Sequence, residues 1–265
     1  MRRFIPFLKA PPVVSVLRLN GVIAARTRGA LSDTGLAGMI QRAFTRGRPV
    51  AVALSVNSPG GSPSQSSLIA ARIRRLADEK GIPVHAFVED VAASGGYYIA
   101  TAADDIWVDT HSIVGSIGVI SSSFGFHEFI ERHGIERRVH TAGTSKSLLD
   151  PFRPEKPEDV ARLKEIQTHI HKGFMDHVRA RRGDRLTQDR DLFNGDVWVG
   201  SEALSTGLID GEAHLVPKLK ELYGDKVVLR PYVQKKPFLS RIGGDILSDV
   251  LSGIEDRAIW ARYGL

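Results

Sequence analysis

The chain has 265 residues, of which 42% are hydrophobic, and its formal net charge at pH 7 is +6. This length and apolar fraction are sufficient for a sizeable hydrophobic core within one large domain. Cysteine is absent, which excludes disulfides, thiolate metal sites and a cysteine nucleophile.

The first residues of the chain, 1–12, are predicted to form a flexible N-terminal segment with the sequence MRRFIPFLKAPP. Its basic and apolar residues allow weak contact with an anionic membrane surface. The apolar run is broken by Pro6 and is too short for a signal peptide or a membrane span, and no later run approaches ~20 apolar residues. We therefore expect a soluble, cytoplasmic protein whose membrane association is limited to peripheral contact with the inner membrane.

Strand-like and helix-like patterns alternate along the rest of the chain. Strands are predicted at 13–19, 22–25, 50–56, 83–88, 106–108, 137–141 and 227–231, with one more near residue 210 and a glycine-rich turn entering a strand at 115–120. Helices are predicted at 33–45, 64–80, 97–103, 126–133, 157–182 and 216–223, with a short one within 197–210. The alternation predicts an α/β protein with a largely parallel sheet. Its strand–strand–helix cadence favours a spiral of ββα units, and no glycine-rich phosphate-binding loop follows a strand.

The densest basic run, residues 179–185, lies at the end of the longest predicted helix. Cations stabilise a helix C-terminus, and no aromatic residues interleave with these arginines as base-stacking platforms would. We therefore expect no nucleic-acid partner.

The C-terminal tail, residues 238–265, repeats apolar residues at helical spacing, at Ile242, Ile246, Val250 and Ile254. We expect a single domain over residues 13–212 and a helical C-terminal extension over 213–265 that belongs to the same domain or assembly.

The stretch that carries chemistry is Glu89–Ala100, which reads EDVAASGGYYIA. A predicted strand enters a corner of small residues, and an apolar helical pattern follows. This order leaves the hydroxyl of Ser94 exposed at a helix start and gives Gly95 an unobstructed backbone N–H. Strand, exposed serine, glycine and helix are the parts of a nucleophile elbow. An ordinary strand-to-helix turn capped by serine fits the same residues.

A second glycine-rich corner, at 58–61, follows the preceding predicted strand. Functional sites of open α/β sheets collect at the carboxyl ends of strands, so we expect the two corners to face one cleft. The backbone N–H groups of Gly61 and Gly95 would then converge as an oxyanion hole. Two ordinary helix-start turns are the alternative interpretation.

A serine nucleophile needs a base, and Lys146 is the stronger candidate. None of the nine histidines stands in an evident Ser-His-Asp context, whereas Lys146 follows a predicted strand end in a loop of small and apolar residues. A lysine acts as a base only when neutral, so its ordinary pKa of ~10.4 must fall, which burial in an apolar pocket achieves. A hydroxyl such as that of Ser116 would then hold the neutral amine. A single loop lysine is more often a solvated surface charge.

Five motifs taken together resemble the signal peptide peptidase A family of Ser/Lys peptidases. They are NSPGG at 57–61, VAASGGYY at 91–98, GSIGV at 115–119, TAGTSKSLLDPF at 141–152 and VWVGSEALSTGLID at 197–210. The likeness extends from about Val13 to Glu212. Position by position, the resemblance assigns Ser94 as the nucleophile, Lys146 as the general base and Ser116 as the residue that orients the lysine. It assigns Gly61 and Gly95 as the oxyanion donors.

The resemblance implies a Clp protease/crotonase-like spiral fold and a serine endopeptidase that needs neither metal nor cofactor. The implied substrates are hydrophobic peptides, such as signal-peptide remnants or unfolded and membrane-derived segments. The spacing from Ser94 to Lys146 is similar to that of the short, single-repeat form of the family. In that form the lysine of one protomer serves the serine of its neighbour, which implies a homo-oligomeric ring.

Three alternatives share this fold. A crotonase-type acyl-CoA enzyme uses paired backbone N–H groups on a thioester and needs neither the serine corner nor a buried lysine. A Clp-type peptidase uses a histidine base, but the sequence offers Gly-Ser-Ile-Gly in the equivalent region. A catalytically inactive scaffold or membrane-surface adaptor would keep Ser94 and Lys146 only by coincidence.

Overall fold

A computed structural model describes residues 10–25, 27, 29–143, 146–234 and 257–265. Among these residues one sheet contains the strands β1 Val13–Asn20, β2 Ala51–Ser58, β3 Val84–Ala93, β4 Asp105–Val108, β5 Ile113–Gly115, β6 Val197–Val199, β7 Gly211–Glu212 and β8 Val228–Tyr232. The helices are α1 Asp33–Thr45, α2 Pro63–Lys80, α3 Gly95–Ala100, α4 His127–Arg132, α5 Pro157–Arg182, α6 Gly200–Thr206 and α7 Leu215–Tyr223. Residues 257–261 form a further short helix.

The main strands lie in the order β6-β5-β3-β2-β1-β8, with β4 and β7 off this path. Among these strands every pair is parallel except β5 with β6. Strand β3 pairs with β4 along its first half and with β5 along its second half. The carboxyl ends of β2, β3 and β5 therefore lie side by side. This largely parallel α/β sheet confirms the predicted fold class.

The two faces of the sheet carry separate apolar clusters. On one face Leu54 and Val56 of β2 pack with side chains of α1, α2 and α3. On the other face Ala51 and Ala53 pack with Leu219 of α7. All eight residues of β2 are buried, as expected for a continuous apolar run in a sheet covered on both faces.

The first part of the predicted C-terminal extension belongs to this sheet. Helix α7 covers one face, and β8 pairs in parallel with β1 at the sheet edge. The helical pattern predicted at Ile242, Ile246, Val250 and Ile254 lies outside the described residues.

Two predicted strands are wrong. Residues 137–141 form no strand, because the described part of the chain offers no neighbouring strand with which they could pair and these residues pack into no core. At 115–120 the order is reversed, since β5 precedes the glycine-rich turn and ends at Gly115. The strand predicted at 22–25 is reduced to isolated bridges from Ile23 to Leu31 and Gly61.

Candidate active site

The serine corner joins β3 to α3 through a single residue, Ser94, whose backbone has φ 49° and ψ −120°. Positive φ is uncommon for a residue with a side chain and is a form of strain that surrounding contacts must maintain. Two backbone hydrogen bonds do so here: the Ser94 N–H donates to the carbonyl oxygen of Gly115 at 2.8 Å, and the Ser94 carbonyl oxygen accepts from Tyr98 at 2.9 Å. The corner therefore has the sharp geometry of a nucleophile elbow.

The glycine corner after β2 lies directly against the serine corner. Gly60 has φ +103°, and a Cβ added to it would lie 2.8 Å from both the Gly95 nitrogen and the Ser94 Cβ. Gly61 has φ +139°, and a Cβ there would lie 2.1 Å from the carbonyl oxygen of Ile23. Both positions thus require glycine: a side chain at Gly60 would force the two corners apart, and one at Gly61 would collide with the backbone of Ile23.

The backbone N–H groups of Gly61 and Gly95 lie in the same region. The Gly61 nitrogen is 3.4 Å from the position that a Cβ of Gly95 would occupy. Gly95 is the first residue of α3, so its N–H has no partner within the helix. Neither N–H has a hydrogen-bond acceptor among the described residues. Two free donors beside a serine hydroxyl are the arrangement that stabilises an oxyanion.

Ser94, Gly61 and Gly95 line one open cleft of about 460 Å³. Its other walls come from the start of α2, from α3, from residues 118–119 and from α5, and the apolar side chains among them are Leu68, Tyr98, Val119, Ile170 and Phe174. A cleft of this size with apolar walls accommodates hydrophobic side chains.

The wall formed by Tyr98 is fixed by α5. The Tyr98 ring stacks on His177 with 3.9 Å between ring centroids and also contacts Phe174 at 5.2 Å. His177 Nε2 lies 2.9 Å from the Thr101 hydroxyl. Burial, with the nearby Arg181 charge, lowers the pKa of His177 to about 4, so this imidazole is neutral near pH 7.

Ser116 lies beside the serine corner. Ser116 follows Gly115, and Gly115 pairs with Ala93 in the sheet. Ser94 and Ser116 are therefore the residues directly after two paired strand residues. Ser116 also has a positive φ, 52°, and its N–H donates to the carbonyl oxygen of Asp196 at 2.7 Å. His171 Nε2, on α5, lies 3.0 Å from the carbonyl oxygen of the next residue, Ile117.

Lys146 does not line the Ser94 cleft. It lies in a turn whose described residues include 146–149, and it is exposed. Ser94, Gly61 and Gly95 thus share one cleft within a single chain, and Ser116 follows the residue whose carbonyl oxygen accepts from the Ser94 N–H, whereas Lys146 lies outside the cleft lining.

Sequence reasoning missed the α5 side of the cleft, formed by Ile170, Gly173 and Phe174. Apolar residues recur at helical spacing along the sequence of α5, for example at Ile166, Ile170 and Phe174, but this periodicity alone does not distinguish a stripe that faces the core from one that borders a cleft. The small residue Gly173 within that stripe was the sequence feature that could have indicated a cleft beside α5.

Comparison with known proteins decides the family. The model of Peptidase family S49 matches residues 77–222, more than half of the chain. The chain belongs to peptidase family S49. The match includes Ser94, Gly95, Ser116 and Lys146 and ends near α7.

Relatives of this chain carry protease names and one transporter name. Serine protease SPPA, chloroplastic, of Arabidopsis thaliana is 33% identical over 205 residues, which cover 74% of this chain and 30% of that protein. Protease 4 of Haemophilus influenzae is 34% identical over 207 residues, which cover 76% of this chain and 32% of that protein. A Brucella melitensis protein named Na(+)/H(+) antiporter NhaA is 46% identical over 286 residues, covering 100% of this chain and 39% of that protein. The chain thus spans less than half the length of each of these three relatives.

The fold has a solved counterpart. A mutant of the 1510-N membrane-bound stomatin-specific protease, solved in complex with a substrate peptide, matches with a TM-score of 0.53 and 17% identity, over 92% of this chain and 100% of that chain. This match confirms the predicted Clp protease/crotonase-like α/β fold. None of the helices among the described residues is both long and apolar enough to cross a membrane.

Proposed function

We propose that this protein is a serine endopeptidase in which Ser94 is the nucleophile and Lys146 the general base. Ser94 Oγ attacks the scissile carbonyl carbon and passes its proton to the neutral Lys146 amine. The N–H groups of Gly61 and Gly95 bind the resulting oxyanion, and the Ser116 hydroxyl orients the amine. As the C–N bond breaks, Lys146 returns the proton to the leaving amine, and water then hydrolyses the acyl-enzyme.

The observation that carries this proposal is the meeting of the two corners. A strained serine at the end of β3 faces a cleft that it shares with two backbone donors. Membership of a peptidase family supports the same chemistry. A crotonase-type acyl-CoA enzyme would use the two N–H groups, but it would have no use for a serine held in this conformation.

The proposed substrates are peptides with apolar side chains near the scissile bond, including signal-peptide remnants and unfolded or membrane-derived segments. The walls of the Ser94 cleft support this class, because they offer aliphatic and aromatic contacts. The solved counterpart was obtained in complex with a substrate peptide, which supports a peptide ligand in this fold.

We further propose that the Ser94–Lys146 pair is completed between two copies of the chain in a homo-oligomeric ring. Within one chain Lys146 is exposed and outside the cleft, which is where a residue that serves a neighbour would lie. The segment that carries Lys146 also presents apolar surface: the Phe124 and Phe129 side chains are 79% and 56% exposed. Burial of such surface against a second copy would stabilise an assembly.

We propose that residues 13–212 form the peptidase domain and that 213–265 belong to the same unit, which the pairing of β8 with β1 supports. We also propose a cytoplasmic location with peripheral membrane contact through residues 1–12, most of which lie outside the described part of the chain.

Hydrolysis of a fluorogenic peptide library and of casein by the full chain tests the proposed function. We expect the wild type to cleave apolar peptides and Ser94→Ala to be inactive but folded. Ser205→Ala is the matched control, because Ser205 lies exposed on α6, outside the cleft lining, and its hydroxyl donates to the Glu202 carbonyl oxygen within the same helix. Full activity in Ser94→Ala would refute the proposal, and a folded, assembled wild type that cleaves nothing would favour an inactive scaffold.

A further inference from the structure

The segment that presents Lys146 has no hydrophobic core of its own. None of its described residues between 120 and 156 is buried, and α4 within it has no buried residue. Its conformation therefore depends on polar contacts, on turns and on contacts between exposed rings, such as Phe126 and Phe152 with 5.7 Å between ring centroids. The orientation of the turn that contains Lys146 is therefore set by the contacts of the residues in and beside it.

The turn that contains Lys146 ends at a strained residue. Leu149 has φ +50°, an uncommon conformation for a residue with a branched side chain. Its N–H donates to the Asp159 carboxylate in the first turn of α5 at 3.3 Å, which fixes this end of the turn to a long helix.

The next residue, Asp150, holds the turn from the other side. Its Oδ1 accepts the N–H of Phe152 at 3.1 Å. Its Oδ2 accepts Nε and Nη2 of Arg137 at 3.3 and 3.2 Å. The Asp150 side chain is only 8% exposed, whereas Arg137 is 48% exposed. One carboxylate thus joins the Lys146 turn to a stretch of chain thirteen residues upstream.

Hydrogen-bond donors and nearby positive charges keep the Asp150 carboxyl in its ionised form. The Phe152 N–H, followed by the hydrogen bond and charge of Arg137 and the charge of Arg153, holds the pKa of Asp150 below its ordinary value. The carboxylate is therefore ionised at neutral pH and accepts from all its donors.

We propose that Asp150, paired with Arg137, is a positioning residue that orients Lys146 for proton transfer. This inference rests on the proposed function, because it presupposes that Lys146 is the base. It does not depend on whether Lys146 serves the Ser94 of its own chain or that of a second copy. In both cases the turn that contains Lys146 must present the amine in one direction, and Asp150, whose side chain is largely covered, is the acid at which this turn ends.

The test compares Asp150→Asn, Asp150→Glu, Arg137→Gln and Lys146→Ala in the full chain. The readouts are kcat and KM for peptide hydrolysis and the rate at which a fluorophosphonate modifies Ser94. Glu136→Gln is the matched control, because Glu136 pairs with Arg138 on the same segment and both side chains are largely exposed. Circular dichroism and the thermal unfolding temperature show whether each variant is folded.

We expect Asp150→Asn and Arg137→Gln to lower kcat and the labelling rate by about tenfold to a hundredfold with KM within roughly twofold of wild type, because misorientation of a base affects the chemical step. Asp150→Glu should recover part of the loss, and Glu136→Gln should behave as wild type. If Asp150→Asn fails to fold, Arg137→Gln removes the same ion pair from its exposed side.

Two results would overturn the inference, and they are distinguishable. Wild-type kcat in Arg137→Gln and in folded Asp150→Asn, together with an inactive Lys146→Ala, would refute the positioning role and leave the base intact. Full activity in Lys146→Ala would refute the proposed base and, with it, any residue that positions it.

Discussion

A single methyl group at Gly95 tests the geometry of the oxyanion hole. The φ of Gly95 lies outside the left-handed region, so its backbone tolerates alanine. An added Cβ, however, would lie 2.3 Å from the hydroxyl oxygen of Ser66, a fully buried residue of α2. Carbon and oxygen normally approach no closer than about 3.4 Å, so either the Ser66 hydroxyl turns away and loses its hydrogen bond to the Ser62 carbonyl oxygen, or, where its buried surroundings hold it, the Gly95 backbone moves by roughly 1 Å.

This displacement has a cost for stability and a larger one for catalysis. Insertion of a methyl group into a well-packed site costs about 1–3 kcal/mol. A shift of roughly 1 Å in the Gly95 N–H moves one oxyanion donor out of place, which lowers kcat by about a hundredfold. We therefore expect Gly95→Ala to be folded, less stable and nearly inactive.

A second substitution should reverse much of this effect. Ser66→Ala removes the oxygen that the new methyl group meets, and the next contacts are Ile23 Cδ1 at 3.1 Å and the Gly61 nitrogen at 3.4 Å. Ser66→Ala alone loses one hydrogen bond, from its hydroxyl to the Ser62 carbonyl oxygen, worth about 1 kcal/mol. The Ser66→Ala/Gly95→Ala double variant should therefore lose less stability than the two single effects added together.

The assay is a double-mutant cycle by urea unfolding, together with kcat for peptide hydrolysis. We expect a favourable coupling energy of about 1–2 kcal/mol and partial recovery of kcat. Gly61→Ala is the matched contrast, because the atom it meets is the backbone oxygen of Ile23, which no side-chain substitution removes. Additive effects within about 0.5 kcal/mol would refute the contact between Gly95 and Ser66.

The wild-type rate of peptide hydrolysis should rise with pH as the Lys146 amine deprotonates, whereas a flat profile from about pH 6 to 9 would count against this base. The variants Ser94→Ala and Lys146→Ala should each be inactive alone but recover activity when they are refolded together, since some interfaces then pair an intact Ser94 with an intact Lys146. Mixed assemblies that form but stay inactive would place the Ser94–Lys146 pair within one chain. Cleavage mapping on a denatured protein should find few cuts after charged residues, and a trypsin-like preference would contradict the apolar cleft. Folding lowers the pKa of His177 from 6.5 to about 4, so below pH 6.5 the unfolded state binds a proton at this residue more readily than the folded state does. The contribution of His177 to the free energy of unfolding should therefore be constant above pH 6.5 and fall between pH 6.5 and pH 4. An equal fall in His177→Gln would refute this assignment.

The serine corner was predictable because its chemistry is local. Small residues and glycines between a strand pattern and a helix pattern permit a sharp turn there, and the structure has the expected order of β3, Ser94 and α3. The approach of Gly61 to Gly95 followed from a general property of parallel sheets, in which successive strand ends lie at one edge. Local sequence and topology together were sufficient for this half of the site.

The surroundings of Lys146 were not predictable in the same way. Residues 137–141 were predicted as a strand from their local sequence, but a strand also needs a partner, and none of the strands in the described ranges lies beside them. The predicted apolar pocket around Lys146 is absent from the described part of a single chain, where this lysine is exposed. Burial of a loop residue depends on long-range packing or on a second copy, and neither is encoded in the residues beside it.

The contribution of α5 was also hidden in the sequence. Its stripe of apolar residues predicted a helix correctly from Pro157 to Arg182. Which part of that stripe borders the cleft depends on how α5 crosses α3, a contact set by Tyr98, Phe174 and His177. Side chains that meet across roughly eighty residues of sequence leave no periodic signal.

The most direct test of the central claim is to identify the residue that a fluorophosphonate modifies in the wild-type protein, by peptide mass spectrometry. Such reagents react with a serine that is activated by a base and faces an oxyanion hole. We predict a single adduct on Ser94, no adduct in Ser94→Ala and a strongly reduced labelling rate in Lys146→Ala. An adduct on another serine, or peptide cleavage by a protein that carries no adduct at Ser94, would contradict the assignment of Ser94 as the nucleophile.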